Sequence, residues 1–302
     1  MKSLIVGKSR ASKQQERAAW MMIAPFLIGF AVFGLLPVLS SFLLSFLDYN
    51  RMKPLGEIGF SGLANYIQLF GDSAVWKAFL RSGIYMIVYV PGTLALGLTL
   101  ALLLNRSFFG RGMIRLMVLM PYVTNIVAVA MVFSVLLDPF DGPVNKMLAF
   151  LGVEKPPLWL GGTNEVLPTI ALISVWQGAA FHTIVYLAAL QSVPRDLYEA
   201  ADMDGASKWR TLWSITLPAV SPTTFFLMIV SMIGALQNYG VIKVFSNGGP
   251  GDASRVISFN IYEEAFSYNH YSYASAQSVI LFLIVLIITL VQWKGQKRWV
   301  HY

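Results

Sequence analysis

The chain has 302 residues, of which 56% are hydrophobic and 12% charged, and its mean hydropathy is +0.63. A soluble domain of this length does not need so much apolar sequence, so we predict an integral membrane protein. The sequence has no cysteine, which excludes disulfides and thiolate metal sites, and its three histidines are too scattered to build a zinc site. The net charge of +7 could indicate nucleic acid, but its distribution favours membrane topology instead.

Six apolar segments are long enough to cross about 30 Å of hydrocarbon as helices. The first, residues 20–47, follows a basic tail over residues 1–19 and is too long for a signal peptide, so we interpret it as a retained span. The other five contain no Asp, Glu, Lys or Arg, and they are residues 82–104, 116–137, 166–190, 219–241 and 276–293. With no internal repeat, the sequence predicts one all-α membrane domain over residues 20–293, followed by a tail over residues 294–302.

The distribution of positive charge predicts the orientation of these spans. The two tails and the segments 105–115 and 191–211 hold 14 of the 22 Lys and Arg residues, although the remaining loops are longer. The acids have the opposite distribution, with five on the first side and ten on the other. Because cytoplasmic loops carry an excess of Lys and Arg, both termini and the segment 191–211 are predicted to be cytoplasmic.

The stretch 193–218 is unlike the apolar chain around it, because it holds four acids and three bases between two spans. Leu197, Ala200 and Ala201 follow i, i+3, i+4 spacing on one face of a helix. Gly205 is the usual left-handed stop, and Ser207 can cap a second helix. The pattern predicts a helix–Gly–helix elbow with a small-residue face for a partner, and an ordinary polar loop is the simpler alternative.

The residue order in this elbow resembles the EAA loop of bacterial binding-protein-dependent ABC importer permeases. The matching motifs are Glu199-Ala200-Ala201, Asp204-Gly205 and Ile215-Thr216-Leu217-Pro218. Motifs elsewhere are similar to the same family: Gly142-Pro143-Val144-Asn145 with Trp159-Leu160, Trp176-Gln177, Asn247-Gly248-Gly249-Pro250, and Tyr262 with Ala265-Phe266. The last two resemble the maltose-permease-like branch, which takes up oligosaccharides and glycerol phosphate derivatives.

This resemblance implies a type I ABC importer permease fold in the bacterial inner membrane, with six spans. It also implies three kinds of partner: a second permease subunit, two copies of an ATPase subunit that carry ATP and Mg, and an extracytoplasmic solute-binding protein. This chain then binds no cofactor, metal or nucleic acid itself. The implied binding-protein-facing loop is Asn247, Gly248, Gly249 and Pro250. The implied ATPase-coupling residues are Leu197, Glu199, Ala200, Ala201, Asp202, Asp204, Gly205 and Ala206.

Polar side chains in the fourth and fifth spans are candidates for a translocation path. Four residues of the fourth span share one stripe at i, i+3, i+4, i+7, and they are Ser174, Gln177, Gly178 and Phe181. In the fifth span, Ser231 and Asn238 are seven residues apart and are expected on one face, with Gln237 and Tyr239 beside them. Hydrogen bonding between helices is an equally good interpretation of such residues. The resemblance places the family's sugar pocket on these two spans.

Other classes of protein fit the sequence less well. The chain has no P-loop motif, so the energy of an ABC importer must come from a partner. A secondary sugar transporter driven by an ion gradient remains the alternative, although no span carries an Asp or Glu for proton coupling. No filter-like motif or charged ring indicates a channel. An intramembrane enzyme is disfavoured because no acid lies near His182, the histidine within a span.

Overall fold

The computed structural model describes residues 10–49, 58–297 and 299–300, and in these ranges the chain is mostly helical. Parts of the predicted tails, residues 1–9, 298 and 301–302, lie outside the described residues. The helices in chain order are α1 (Arg10–Phe30), α2 (Leu36–Leu44), α3 (Ala64–Gly71), α4 (Ser73–Asn105), α5 (Arg111–Val123), α6 (Ile126–Leu136), α7 (Pro143–Phe150), α8 (Val166–Ser192), α9 (Arg195–Met203), α10 (Lys208–Thr211), α11 (Leu217–Ala219), α12 (Ser221–Leu236), α13 (Tyr239–Phe245), α14 (Ile257–Tyr262) and α15 (Tyr271–Gln296).

Short irregular elements connect these helices. Three π-helical turns, at Ala31–Leu35, Leu212–Thr216 and Glu263–Ser267, join α1 to α2, join α10 to α11 and follow α14. A 3₁₀ turn occupies Trp159–Gly161. The two strands, β1 (Leu47–Asp48) and β2 (Gly59–Phe60), pair antiparallel with Leu47 opposite Phe60.

Four helical stretches are each long and apolar enough to cross a membrane: Gln15–Leu44, Ser73–Asn105, Val166–Ser192 and Tyr271–Gln296. Two bent pairs pass the same test, Arg111–Val123 with Ile126–Leu136 and Lys208–Ala219 with Ser221–Leu236. The described residues therefore give up to six spans if each bent pair counts as one. The second span is longer than the predicted 82–104, because α4 already begins at Ser73.

The prediction of a single helix over residues 116–137 is wrong, although the bent pair can still count as one span. The chain turns by 98° between α5 and α6. Thr124 is extended, and Asn125 caps the new helix by accepting a hydrogen bond from the Val127 amide at 2.8 Å. Because an Asn side chain can replace a missing helical acceptor, the chain changes direction here without leaving that amide unpaired.

The prediction of one helix over residues 219–241 is also wrong. The chain bends by 64° near Val220, where Pro222 occupies the first turn of α12. The helix then ends at Leu236, and Asn238 begins α13. Apolar composition predicts a span but does not report such breaks, since every residue around them remains hydrophobic enough for the membrane.

The centre of the fold is the pair α4 and α8, which pack together more extensively than any other two described elements. Glycines allow this approach. A Cβ atom at Gly97 would lie 2.5 Å from the Cβ of His182, and one at Gly92 would lie 2.7 Å from a methyl group of Val175. Contacts of that length are not tolerated, so both positions require glycine. Small residues at helix contacts are the usual means of close packing in membranes.

The first span lies at the periphery. None of its most apolar window, within Gln15–Leu44, is buried by the rest of the described chain. It contacts the remainder mainly through α2, which packs on α15. An apolar helix in this position has its outer face available to lipid or to another membrane subunit.

The connection between α6 and α8 is held closed by one buried side chain, that of Asn145. Its amide nitrogen donates to the carbonyls of Pro139 and Pro157 at 2.9 and 3.0 Å, and its oxygen accepts from the Trp159 indole at 2.6 Å. The Gly-Pro-Val-Asn and Trp-Leu motifs thus meet in the structure. Their role in this chain is structural, because all three contacts tie loop segments to each other.

Candidate functional site

The elbow has the predicted helix–Gly–helix form. Gly205 adopts φ +71°, and its amide donates to the Asp202 carbonyl at 3.1 Å. The Ala206 amide donates to the Ala201 carbonyl at 2.9 Å, which completes a Schellman motif at the end of α9. Ser207 then caps α10 by accepting from the Arg210 amide at 3.3 Å. The stop and the cap inferred from the sequence are confirmed.

Most of the elbow surface is exposed. Leu197 is 47% exposed and Met203 is 89% exposed, although both are apolar. The charged or small coupling candidates Glu199, Ala200, Asp202, Asp204 and Gly205 are exposed as well.

The expected small-residue face is divided between the surface and the chain's own interior. Ala200 faces outward, but Ala201 is buried and Ala206 is half-buried. The hydroxyl of Tyr198 lies 3.3 Å from that of Thr216, which joins α9 to the π-turn that follows α10. A partner can therefore reach Leu197 and Ala200, whereas Ala201 packs the elbow against the rest of its own chain.

A cavity of about 250 Å³, with both polar and aromatic side chains in its lining, lies where α4, α5, α8, α12 and α13 meet. The breaks after α5 and after α12 border it, in keeping with irregular backbone at membrane depth lining a cavity. Gln177 donates to the Thr124 carbonyl at 3.2 Å, at the first break, and Asn238 donates to the Tyr85 hydroxyl at the second. The lining residues are Tyr85, Tyr89, Tyr122, Ser174, Gln177, Gly178, Gly234, Asn238 and Val241.

The structure brings together four of the predicted path residues in this cavity: Ser174, Gln177, Gly178 and Asn238. Phe181 lies beside it, stacked on Tyr122 with ring centroids 5.6 Å apart.

The other three predicted path residues lie elsewhere. Ser231 is buried between helices, with its Oγ 2.6 Å from His182 Nε2, and joins α12 to α8. Gln237 is exposed, and Tyr239 stacks on Tyr262 with ring centroids 4.1 Å apart. The expected common face of Ser231 and Asn238 is wrong, because α12 ends at Leu236 between them.

Sequence reasoning missed the three tyrosines of the cavity. Tyr85 and Tyr89 stand at i, i+4 on α4 with their rings stacked 5.6 Å apart, a spacing that the sequence does contain. Tyr122 reaches the cavity through the geometry of the bend, which the sequence does not show. Together the lining offers hydroxyl and amide groups beside aromatic rings, and none of the lining side chains is acidic or basic.

The loop Asn247–Pro250, which is expected to face a binding protein, is fixed by its backbone conformation, close packing and a hydrogen bond. Asn247 and Gly248 adopt φ +49° and +85°, and a Cβ at Gly248 would lie 2.8 Å from the Phe259 ring. The Ser254 hydroxyl donates to the Gly249 carbonyl at 2.7 Å. Of the four loop residues, Asn247 is the exposed one, Gly249 and Pro250 are half-buried, and Gly248 is buried.

An ion pair joins the same loop to the π-helical turn that follows α14. A guanidinium nitrogen of Arg255 lies 2.5 Å from a carboxylate oxygen of Glu263, and another lies 3.2 Å from Asp252. Burial lowers the pKa of Arg255, but the Glu263 and Asp252 carboxylates raise it by more, so the pKa lies above its ordinary value. Within the described ranges, no three His, Cys, Asp or Glu residues come together as they would to hold a metal ion.

The described chain thus combines long apolar helices, a cavity between them and an exposed elbow that precedes α12. The chain belongs to the family of binding-protein-dependent transport system inner membrane components, whose model matches residues 93–295. It is therefore a multi-pass inner membrane protein and the permease component of an ABC importer, a non-enzymatic subunit. This establishes the family that the sequence motifs suggested.

Curated relatives cover nearly the whole chain. It is 34% identical to the trehalose/maltose transport system permease protein MalF of Thermococcus litoralis, over 95% of this chain and 96% of that protein. It is 31% identical to the lactose transport system permease protein LacF of Rhizobium radiobacter, over 96% and 98% respectively. It is also 32% identical to the probable ABC transporter permease protein YesP of Bacillus subtilis, over 98% and 95%.

Solved structures show the same fold. A chain of a bacterial ABC transporter involved in the import of the acidic polysaccharide alginate superposes with a TM-score of 0.82 at 25% identity, covering 96% of this chain and 99% of that one. A chain from the alginate transporter in complex with a pentasaccharide-bound periplasmic protein gives a TM-score of 0.83 at 24% identity, covering 97% and 98%.

Proposed function

We propose that this chain forms part of the path through which an ABC importer moves a neutral sugar or oligosaccharide inward. The observation that carries this proposal is the central cavity, whose hydroxyl and amide groups stand beside aromatic rings. Such a lining can hydrogen-bond a hydroxyl-rich solute and pack against its ring faces. The names of the MalF and LacF relatives, which refer to trehalose, maltose and lactose, support the same substrate class.

The charge of the cavity lining favours a neutral solute over a glycerol phosphate derivative. No Lys, Arg or His is among the residues that line it. Phosphate groups in protein sites are commonly held by Arg or Lys, which make charge-assisted hydrogen bonds with them. Its volume of about 250 Å³ is small for an oligosaccharide, so a second permease subunit completes the pocket in the complex we envisage.

The mechanism we propose is alternating access with both termini and the elbow in the cytoplasm. ATP and Mg bind to two partner ATPase subunits, whose closure moves the elbow over residues 193–218. The spans then rock and open the cavity toward an extracytoplasmic binding protein, which the Asn247–Pro250 loop faces. Glu199 and Asp204 supply polar contacts to the ATPase, and Leu197 and Ala200 supply the close apolar contact.

Affinity purification tests the proposed assembly. With the chain tagged in its own host and extracted into a lipid environment that preserves complexes, an ATPase subunit and a second permease are expected to co-purify. The assembled complex in proteoliposomes should then take up a neutral sugar only with ATP and a binding protein. Recovery of the chain alone, with uptake driven by a sodium or proton gradient, would support the secondary transporter.

The orientation can be tested directly, because the chain has no native cysteine. Met203→Cys in the elbow, at a side chain that is 89% exposed, should react with a membrane-impermeant maleimide in inside-out vesicles and not in intact cells. The matched variant Lys146→Cys in the outer loop should show the reverse pattern. Labelling of both positions from the same side would contradict the proposed topology.

A further inference from the structure

A second polar pocket lies at the foot of the elbow, away from the central cavity. It has a volume of about 390 Å³ and lies at the start of α5, the end of α8 and the start of α9. Two arginines line it, Arg111 and Arg195, together with Asn105, Gln191 and Tyr198. None of its lining residues is acidic. We call it the foot pocket.

Two guanidinium groups on α5, of which that of Arg111 lines this pocket, have buried nitrogens without a partner in the described residues. The Nε of Arg111, and the Nε and Nη2 of Arg115 one turn further along α5, are buried and have no hydrogen-bond partner within the described part of the chain. A buried donor without an acceptor is destabilising, and more so when the group is charged. The unpaired Arg111 nitrogen therefore favours an anionic acceptor in the pocket, and Arg115 adds positive charge one turn away.

The surrounding charge has the same sign. A neighbouring cleft of about 600 Å³ shares Asn105, Leu190 and Tyr198 with the foot pocket. Arg106 and Lys208 line this cleft, with Asp202 as its one acid. Arginine's planar fork matches the oxygens of a phosphate group, and basic pockets between membrane helices on the cytoplasmic side suit anionic headgroups.

We propose that the foot pocket binds an anion that carries a phosphate group, held between Arg111 and Arg195. Arg111 is the first residue of α5 and Arg195 is the first residue of α9, so the bound phosphate connects the third span to the elbow. Occupancy then fixes the angle between these two helices and sets how far the elbow can move. Binding does not depend on the transport function proposed above; only its effect on coupling does.

Two sources share this chemistry, a phospholipid headgroup and a soluble phosphorylated compound, and two measurements on the full chain distinguish them. In phosphatidylcholine nanodiscs, calorimetric titration with inorganic phosphate reports the soluble source. In nanodiscs containing phosphatidylglycerol, native mass spectrometry of the released chain reports retained phosphatidylglycerol. Binding in the first measurement assigns a soluble ligand, and retention in the second alone assigns a lipid.

The variant Arg111→Gln/Arg195→Gln removes both guanidinium groups. Its matched control, Lys294→Gln/Lys297→Gln, removes the same two charges from exposed positions near the end of α15. The pocket variant is expected to bind phosphate or retain phosphatidylglycerol at least about tenfold less than the wild type, and the control is expected to bind normally. Arg195→Gln alone changes an exposed side chain and should already weaken binding, which separates ligand loss from misfolding.

Two results would overturn the proposal. One is equal binding by the pocket variant and the lysine control, because the two arginines would then have no specific role. The other is a wild-type chain that binds neither inorganic phosphate nor phosphatidylglycerol.

Discussion

Replacement of Gly205 by valine is expected to abolish coupled uptake while the protein still inserts and assembles. Gly205 holds φ +71°, and a Cβ there would meet no atom within 4 Å, so the cost of the substitution comes from the backbone alone. A side chain in the left-handed region costs roughly 1–2 kcal/mol, and a β-branched one costs more. That cost lowers the equilibrium ratio of correctly turned to incorrectly turned elbow by about 5- to 30-fold.

The measurement is ATP hydrolysis and sugar uptake by the same proteoliposomes. Gly205→Asn is the matched control, since asparagine tolerates the left-handed conformation, and it should retain most of the uptake. Full uptake by Gly205→Val would contradict the coupling role of the elbow. Loss of the variant from the membrane would instead show that the turn is needed for folding.

Replacement of Gly234 by phenylalanine is expected to block the central cavity. Gly234 lines it from α12, and a Cβ there would meet nothing within 4 Å, so a side chain can leave the helix there without an immediate clash. Phenylalanine also has a higher helix propensity than glycine by a few tenths of a kcal/mol, so α12 should not be weakened. Sugar uptake should fall by at least about tenfold, which corresponds to about 1.4 kcal/mol of lost binding.

The chain offers a close control in Gly240→Phe. Gly240 is also exposed and helical, it also has nothing within 4 Å of a built Cβ, and it does not line the cavity. This variant should transport normally, with purified yield and melting temperature comparable to those of Gly234→Phe. Equal uptake by the two variants would show that the cavity is not on the sugar path.

The elbow could be predicted from the sequence because its determinants are local. A glycine in the left-handed conformation and a serine cap act on the residues next to them, so Gly205 and Ser207 define the turn by themselves. The membrane spans were also predictable, since apolar length alone identifies them. The bend between α5 and α6 was not, because Asn125 and Pro121 lie in a segment whose hydrophobicity is continuous across the break.

The cavity could be predicted only in part for the same reason. Ser174, Gln177 and Gly178 lie on the unbroken helix α8, where the spacing of residues does predict a common face. Asn238 reaches the cavity because α12 ends before it, and Tyr122 reaches it because α5 turns away just after it. Ser231 lies outside the cavity because its hydroxyl contacts His182. The sequence does not show this contact, since the two residues are 49 positions apart.

The glycine contacts between α4 and α8 allow these two helices to pack closely, and we expect the pair to move as one unit. Helix α8 ends at Ser192, three residues before α9 of the elbow begins at Arg195. It has 27 residues and is about 40 Å long. If α8 tilted by about 10° about its elbow end, its opposite end would move by about 7 Å. Tyr85 and Tyr89 lie on α4, and Ser174 and Gln177 lie on α8. If the two helices move together, the distance between these two sides of the cavity stays constant. Under the alternating access proposed above, we therefore expect the cavity to open on the other two sides, at Tyr122 and Gly234.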